Sequence, residues 1–264
     1  ARQGNQEKDL WPILRIVRGC SNVLWEREQE AQRNKEELTE LEKAVIGAHF
    51  VNMISGIGRL CYRSDKGMMP VCPYFLEDDI PDEKQATGGS GKSIIVKLVV
   101  GSAVNVLDID MKRMEHINDA RFVLGNLLSE PFKYRVLHWE DKQKGFPMKY
   151  FYNMVTTGLT IEKKNVDQEL VPLKDAPKHV ITCNYPLSDD DDSTVGRFPL
   201  VSFSNRFARA NPQKRKAARL MSALMKNFSD KPEEIDDTDR NQAIYLCALA
   251  VQFLMRYHTF AIAP

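Results

Sequence analysis

The string ATGGSGKS, from Ala86 to Ser93, decides how the rest of this chain is read. It nearly matches the phosphate-loop pattern GxxxxGK[ST], in which backbone N–H groups of a glycine-rich turn wrap the phosphates of a nucleotide. Gly88, Gly89 and Gly91, with Ser90 among them, allow the backbone to come close to such a ligand. Lys92 is expected to meet the β- and γ-phosphates of ATP, and the Ser93 hydroxyl to ligate Mg²⁺. The apolar run after Ser93 fits a helix whose N-terminus faces the anion. A bare GK[ST] arises by chance in about one chain in eight of this length, and the two earlier glycines reduce that by about two orders of magnitude. Ala86 stands where the pattern has its first glycine, so the start of the loop departs from it while the GKS end holds.

Downstream lie the groups that a bound nucleotide would need. The strand-like YRVLHW ends at Glu140 and Asp141, carboxylates suited to holding a metal ion and activating water. The roles of the two acids stay open, because the order Glu then Asp reverses the commoner arrangement. The run KHVITCN, Lys178 to Asn184, reads as a short strand ending in an amide able to hydrogen-bond a γ-phosphate or orient water. Arg197, in TVGRF, is the candidate guanidinium for the charge that develops on the departing phosphate, with Arg206 and Arg209 as rivals.

Around these motifs the chain alternates apolar and helical stretches, which predicts an α/β core. Trp25 to Cys61 has the spacing of one or two amphipathic helices, and the chain reads helical again from Lys214 onward. Ser64 to Thr87 is rich in turn residues and acids, which places a boundary there. The expected division is a helical N-terminal collar at 1–70, an ATPase core at 71–212 and a C-terminal helical segment at 213–264. Asp189 to Asp192 and the basic cluster Gln213 to Arg219 read as solvated charge.

Composition excludes several classes. Lys plus Arg number 37 against 36 acids, a net charge of +1, so no global positive field announces a nucleic-acid partner and any such contact is local. The longest apolar runs, Ser93 to Val106 and Ala243 to Met255, fall short of the roughly 18 residues that span a bilayer, so no membrane partner is expected. The five cysteines form no CxxC pair and are expected to be reduced thiols of an intracellular protein. The chain begins at Ala1 without an initiator methionine, which leaves a longer parent polypeptide open.

The order of motifs resembles the superfamily 3 helicases of small DNA viruses, phages and mobile elements, compact AAA+ ATPases that include polyomavirus large T antigens and phage primase-helicases. WEDKQKG from Trp139 to Gly145 is similar to the family's Walker B segment, and VITCN and TVGRF fall where its polar sensor and arginine finger fall. LTIEKKN from Leu159 to Asn165 resembles its DNA-binding hairpin, and RFVLG its DNA-touching loop. The likeness covers about Thr87 to Phe207. It implies an AAA+ P-loop core, a parallel sheet flanked by helices, with an added helical subdomain from the two ends. It also implies a hexameric ring that hydrolyses ATP between subunits, with Arg197 acting in trans. Lys163, Lys164, Asn165 and Phe122 would then grip single-stranded DNA, a forked duplex included. An attached or associated primase, and a location in the bacterial cytoplasm or at a site of viral DNA replication, follow from the same likeness. The alternative is a P-loop ATPase acting as a nucleotide switch or assembly scaffold, with Lys163 and Lys164 as a solubilising turn.

Overall fold

The computed structural model describes residues 12–63, 70–77, 89–112, 114, 124–125, 133–162, 167–187, 191–209 and 235–258. Five strands form one parallel sheet: β1 (Tyr74–Glu77), β2 (Val106–Asp110), β3 (Val136–Glu140), β6 (Lys178–Cys183) and β7 (Leu200–Phe203). Their order is β2-β3-β6-β1-β7. Between β3 and β6 in the chain, β4 (Gly158–Ile161) and β5 (Glu169–Pro172) pair as a separate antiparallel hairpin. The helices are α1 (Pro12–Ser21), α2 (Trp25–Asn34), α3 (Glu40–Cys61), α5 (Lys149–Thr156), α6 (Asp192–Arg197), α7 (Arg206–Arg209) and α8 (Asp237–Tyr257). The helical segment 92–103, here α4, opens as α-helix over Lys92–Ile94, widens to a π-helix over Ile95–Val100 and closes over Gly101–Ala103.

Central parallel strands are covered on both faces, so they read as near-continuous apolar runs. In β3 and β6 every residue from Val136 to Trp139 and from His179 to Cys183 is buried. One face presents Phe75, Val136, Val180, Val201 and Phe203 to residues of α1, α3, α4 and α8. The other presents Tyr74, Leu137, Trp139, Ile181 and Cys183 to Phe151, Leu159 and Phe198. α4, the next described element after β1 in the chain, packs on the first face, and Tyr185 and Phe198, which follow β6, on the other.

The turn-rich zone from Ser64 to Thr87 contains β1, which lies between β6 and β7. Its apolar run is too short to display a period. β2, with the acids Asp108 and Asp110, carries little strand signal because an edge strand can leave alternate side chains half exposed. And α3 is by length and composition able to cross a membrane, although polar residues interrupt its apolar run. Its Met53, Ile57 and Leu60 are buried in the core that also holds the sheet. A capping box formed by Thr39 and Glu42 starts this helix. Gly58 lets it approach α8 so closely that a Cβ there would collide with the Ala250 carbonyl. α1, α3 and α8, placed by sequence in flanking segments, therefore share one hydrophobic core with the sheet. The stretches 210–234 and 115–123 lie outside the described residues.

One buried titratable group carries a prediction. His179 accepts a hydrogen bond at Nδ1 from Trp139 Nε1 at 3.1 Å, while its buried Nε2 has no partner among the described residues. Burial, with the nearby Lys178 charge, pushes its pKa down from 6.5 to about 4. The unfolded chain then binds the proton more readily, so this contribution is complete above pH 6.5 and falls away as pH drops towards 4. Acidification is expected to cost on the order of 3 kcal/mol through this group. Urea unfolding of the wild type and of His179→Asn, which keeps an acceptor for Trp139, at about pH 7 and about pH 5 checks it, with the shallower pH slope expected in the variant.

Candidate functional site

Lys92 is the centre of a polar cluster at the carboxyl ends of the central strands. Gly89 and Gly91 have φ of 87° and 96°, a region other residues enter at a cost, and this turn delivers Lys92 to the first turn of α4. The side chain is buried, with 7% of the residue's surface exposed. Its ammonium donates to Asn184 Oδ1 at 2.8 Å, to Ser90 Oγ at 3.0 Å and to Glu77 Oε2 at 3.4 Å. An ammonium has three protons, and all three have acceptors here. Glu77 is the last residue of β1, and Asn184 follows the end of β6, the strand beside it. Burial lowers the Lys92 pKa more than the attraction of Glu77, Cys183 and Asp141 raises it. Burial and the neighbouring carboxylate thus act on this cation in opposite directions, a tension that perturbed groups at functional sites commonly carry.

The two acids at the end of β3, Glu140 within it and Asp141 just after it, part company. Glu140 points to the face covered by α4 and accepts from Lys97 Nζ at 2.9 Å. Asp141 turns out of the strand with φ of 55°, left-handed backbone unusual for a residue with a side chain. It pairs with Lys112 at 2.5 Å, and its charge reaches Lys92. Ser93 is half-buried in the first turn of α4, one turn before Lys97.

Arg197 stands apart from the lysine cluster. Its guanidinium lies 4.8 Å from the centroid of the Tyr152 ring and donates to the Ser193 carbonyl at 2.8 Å and to the Ser193 hydroxyl. Tyr152 is in turn tied to Thr194 and Asp191, the cap of α6. Gly88, Phe122, Lys163, Lys164 and Asn165 lie outside the described residues, although strands β4 and β5 flank segment 163–166.

Sequence reasoning missed Glu77 and a second polar group formed by Lys97, Asp108, His138 and Thr182. For Glu77 the signal was available: a phosphate loop follows a strand, and YFL precedes this one. His138 and Glu140 alternate on one face of β3, but nothing in sequence says that β2 would bring Asp108 beside them.

These features define an α/β protein whose five-stranded parallel sheet carries a lysine-centred polar site at its central strand ends. No family model and no curated protein matches the chain. Solved structures of the apo C-terminal region of NrS-1 are similar in part. One is 14% identical with a TM-score of 0.43, covering 81% of this chain and 48% of that one. Another, spanning 305–718 of NrS-1, is 17% identical with a TM-score of 0.37, covering 81% and 51%. The chain spans about half the length of those it matches. Scores this low do not establish a shared fold, so the function rests on the residues themselves.

Proposed function

We propose that this chain is the ATPase of a ring-forming, superfamily 3-type DNA helicase, binding Mg-ATP at the carboxyl ends of β1 and β6. The observation that carries the reading is the convergence of Lys92 with Ser90, Glu77 and Asn184 at the ends of these adjacent parallel strands. The residues fit the group: a buried ammonium on a glycine turn suits a phosphate, and an amide beside it suits a γ-phosphate or its attacking water. Ser93 and a carboxylate would hold Mg²⁺, which neutralises charge developing on the transferred phosphoryl group. In this chain's own terms, Lys92 would bind, Asn184 would orient and Asp141 would take the proton of the attacking water.

Two further points support the motor over a simple nucleotide switch. A hairpin lies between the strand of the acid pair and that of the polar amide, where the helicase likeness puts a DNA grip. Arg197 lies outside the lysine cluster, as a residue serving a neighbouring subunit's site would. Assembly is further supported by the exposed Ile244, Tyr245, Leu249 and Met255 on α8.

The test is the steady-state ATP hydrolysis rate with and without single-stranded DNA, with Lys92→Ala as control. Hydrolysis stimulated several-fold by DNA and lost in the variant is expected. Hydrolysis indifferent to DNA would move the reading to the switch or scaffold, and none above the control would remove the ATPase altogether.

A further inference from the structure

A chain of polar contacts, Glu140–Lys97–Asp108–His138–Thr182, runs across the sheet near the lysine cluster. Lys97 Nζ lies 2.9 Å from Glu140 Oε2 and 3.4 Å from Asp108 Oδ2. Asp108 Oδ1 is 2.6 Å from His138 Nδ1, and His138 Nε2 is 3.0 Å from Thr182 Oγ1. The members come from four elements: α4, β2, β3 and β6. Register makes it possible, since Asp108 pairs with His138 and Asp110 with Glu140 across β2 and β3, and side chains two apart share a face. His138 is fully buried and Thr182 nearly so, which fixes one end of the chain of contacts in the sheet.

Lys97 joins the two carboxylates of this chain of contacts. Burial disfavours its ammonium, yet hydrogen bonding to Glu140 and the charge of Asp108 hold its pKa above the ordinary value. Asp108 likewise resists burial and is held below the ordinary carboxylate value by His138 and Lys97. Lys97 lies within the π-helical stretch Ile95–Val100, six residues of a form usually confined to single turns near functional sites. The carboxylates of Asp108 and Glu140 and the imidazole of His138 come within 4.8 Å of one another, a metal-like cluster, but the ammonium of Lys97 already bridges its two acids.

We propose that Lys97 is a positioning residue for ATP hydrolysis: a tethered cation, braced by Asp108, His138 and Thr182, that fixes where the Glu140 carboxylate lies. Glu140 is thereby held on the α4 side by Lys97, which lies one turn after Ser93, while Asp141 leaves the strand and pairs with Lys112. The inference rests on the ATPase reading above and assigns the two acids different duties under it. Glu140, set by Lys97, would hold the metal ion together with Ser93. Asp141 would act on the attacking water.

The test compares Lys97→Met, Lys97→Arg and Asp108→Asn with the wild type in ATP hydrolysis across a Mg²⁺ titration, alongside melting temperature. Lys97→Met keeps the apolar stem of the half-buried side chain. It is expected to lower kcat about tenfold and raise the Mg²⁺ concentration for half-maximal rate several-fold, with KM for ATP within about twofold. Lys97→Arg, which can still bridge two carboxylates, is expected to recover most of both losses. Asp108→Asn, which leaves the lysine but loosens its brace, should fall between. If wild type hydrolyses ATP and Lys97→Met leaves kcat and Mg²⁺ dependence unchanged, the positioning role is overturned while the ATPase stands. Losses in Lys97→Met that Lys97→Arg shares, tracking melting temperature alone, overturn it in favour of a structural ion pair. A wild type no faster than Lys92→Ala overturns both.

Discussion

Lys92→Met is expected to abolish ATP hydrolysis and, at neutral pH, to lower the melting temperature by several degrees. The loss of activity follows from removing the only group among the described residues of the cluster that carries a positive charge where phosphate would bind. The loss of stability follows from the partners left behind. Glu77 is buried, and without the ammonium its carboxylate, with the Asn184 and Ser90 oxygens, loses a hydrogen-bond donor in the interior. Burial disfavours the Lys92 ammonium and lowers its pKa, so a neutral side chain of similar length offsets part of that loss but not all of it. The pH signature has a definite sign. With a folded pKa below the ordinary 10.5, the unfolded chain holds the proton more tightly, and wild-type stability recovers as pH rises towards that value. The gap between wild type and Lys92→Met should therefore widen in alkali. Thermal unfolding of both at neutral and alkaline pH checks this. A variant that melts higher than the wild type would mean that burial of the charge outweighs the ion pair with Glu77 and would sink the argument.

Asp141→Asn is expected to lower kcat by about a hundredfold or more while leaving nucleotide binding nearly intact, the signature of a lost general base. The geometry suits that role, because the left-handed backbone at this position turns the carboxylate out of β3 and its charge is felt at Lys92. Asparagine tolerates left-handed backbone about as well as aspartate, so the loop geometry survives the change. Fluorescent-nucleotide titration together with single-turnover hydrolysis separates the two effects. A variant with weakened binding and an unchanged single-turnover rate would place the group in binding and leave the base elsewhere.

The α/β class was legible because apolar runs such as KHVITC and YRVLHW are local signals, and burial on both faces of a central strand makes them continuous. Lys92 and Asn184 were legible as candidates for the same reason: a glycine turn and a strand-ending amide are properties of consecutive residues. Their meeting at 2.8 Å is a property of strand order, since β1 and β6 are neighbours although about a hundred residues separate them in the chain. Glu77 was hidden in an acidic turn-like stretch and took its place only because β1 pairs on both sides. The acid pair shows the limit most clearly. Glu140 and Asp141 are adjacent in sequence, and only the register of β2 against β3 and the left-handed turn at Asp141 send them to different partners.

By itself, then, the sequence determined which residue types are present, where the glycine turn and the apolar runs fall, and that ordinary composition excludes a strongly basic protein. The tertiary structure alone decided which of those residues are neighbours: Lys92 with Glu77 and Asn184, Lys97 with Glu140 and Asp108, and the helices of both chain ends in one core with the sheet. Local patterns are set by the period of a strand or helix, whereas parallel pairing joins segments remote in the chain, and its register carries no mark in either segment taken alone.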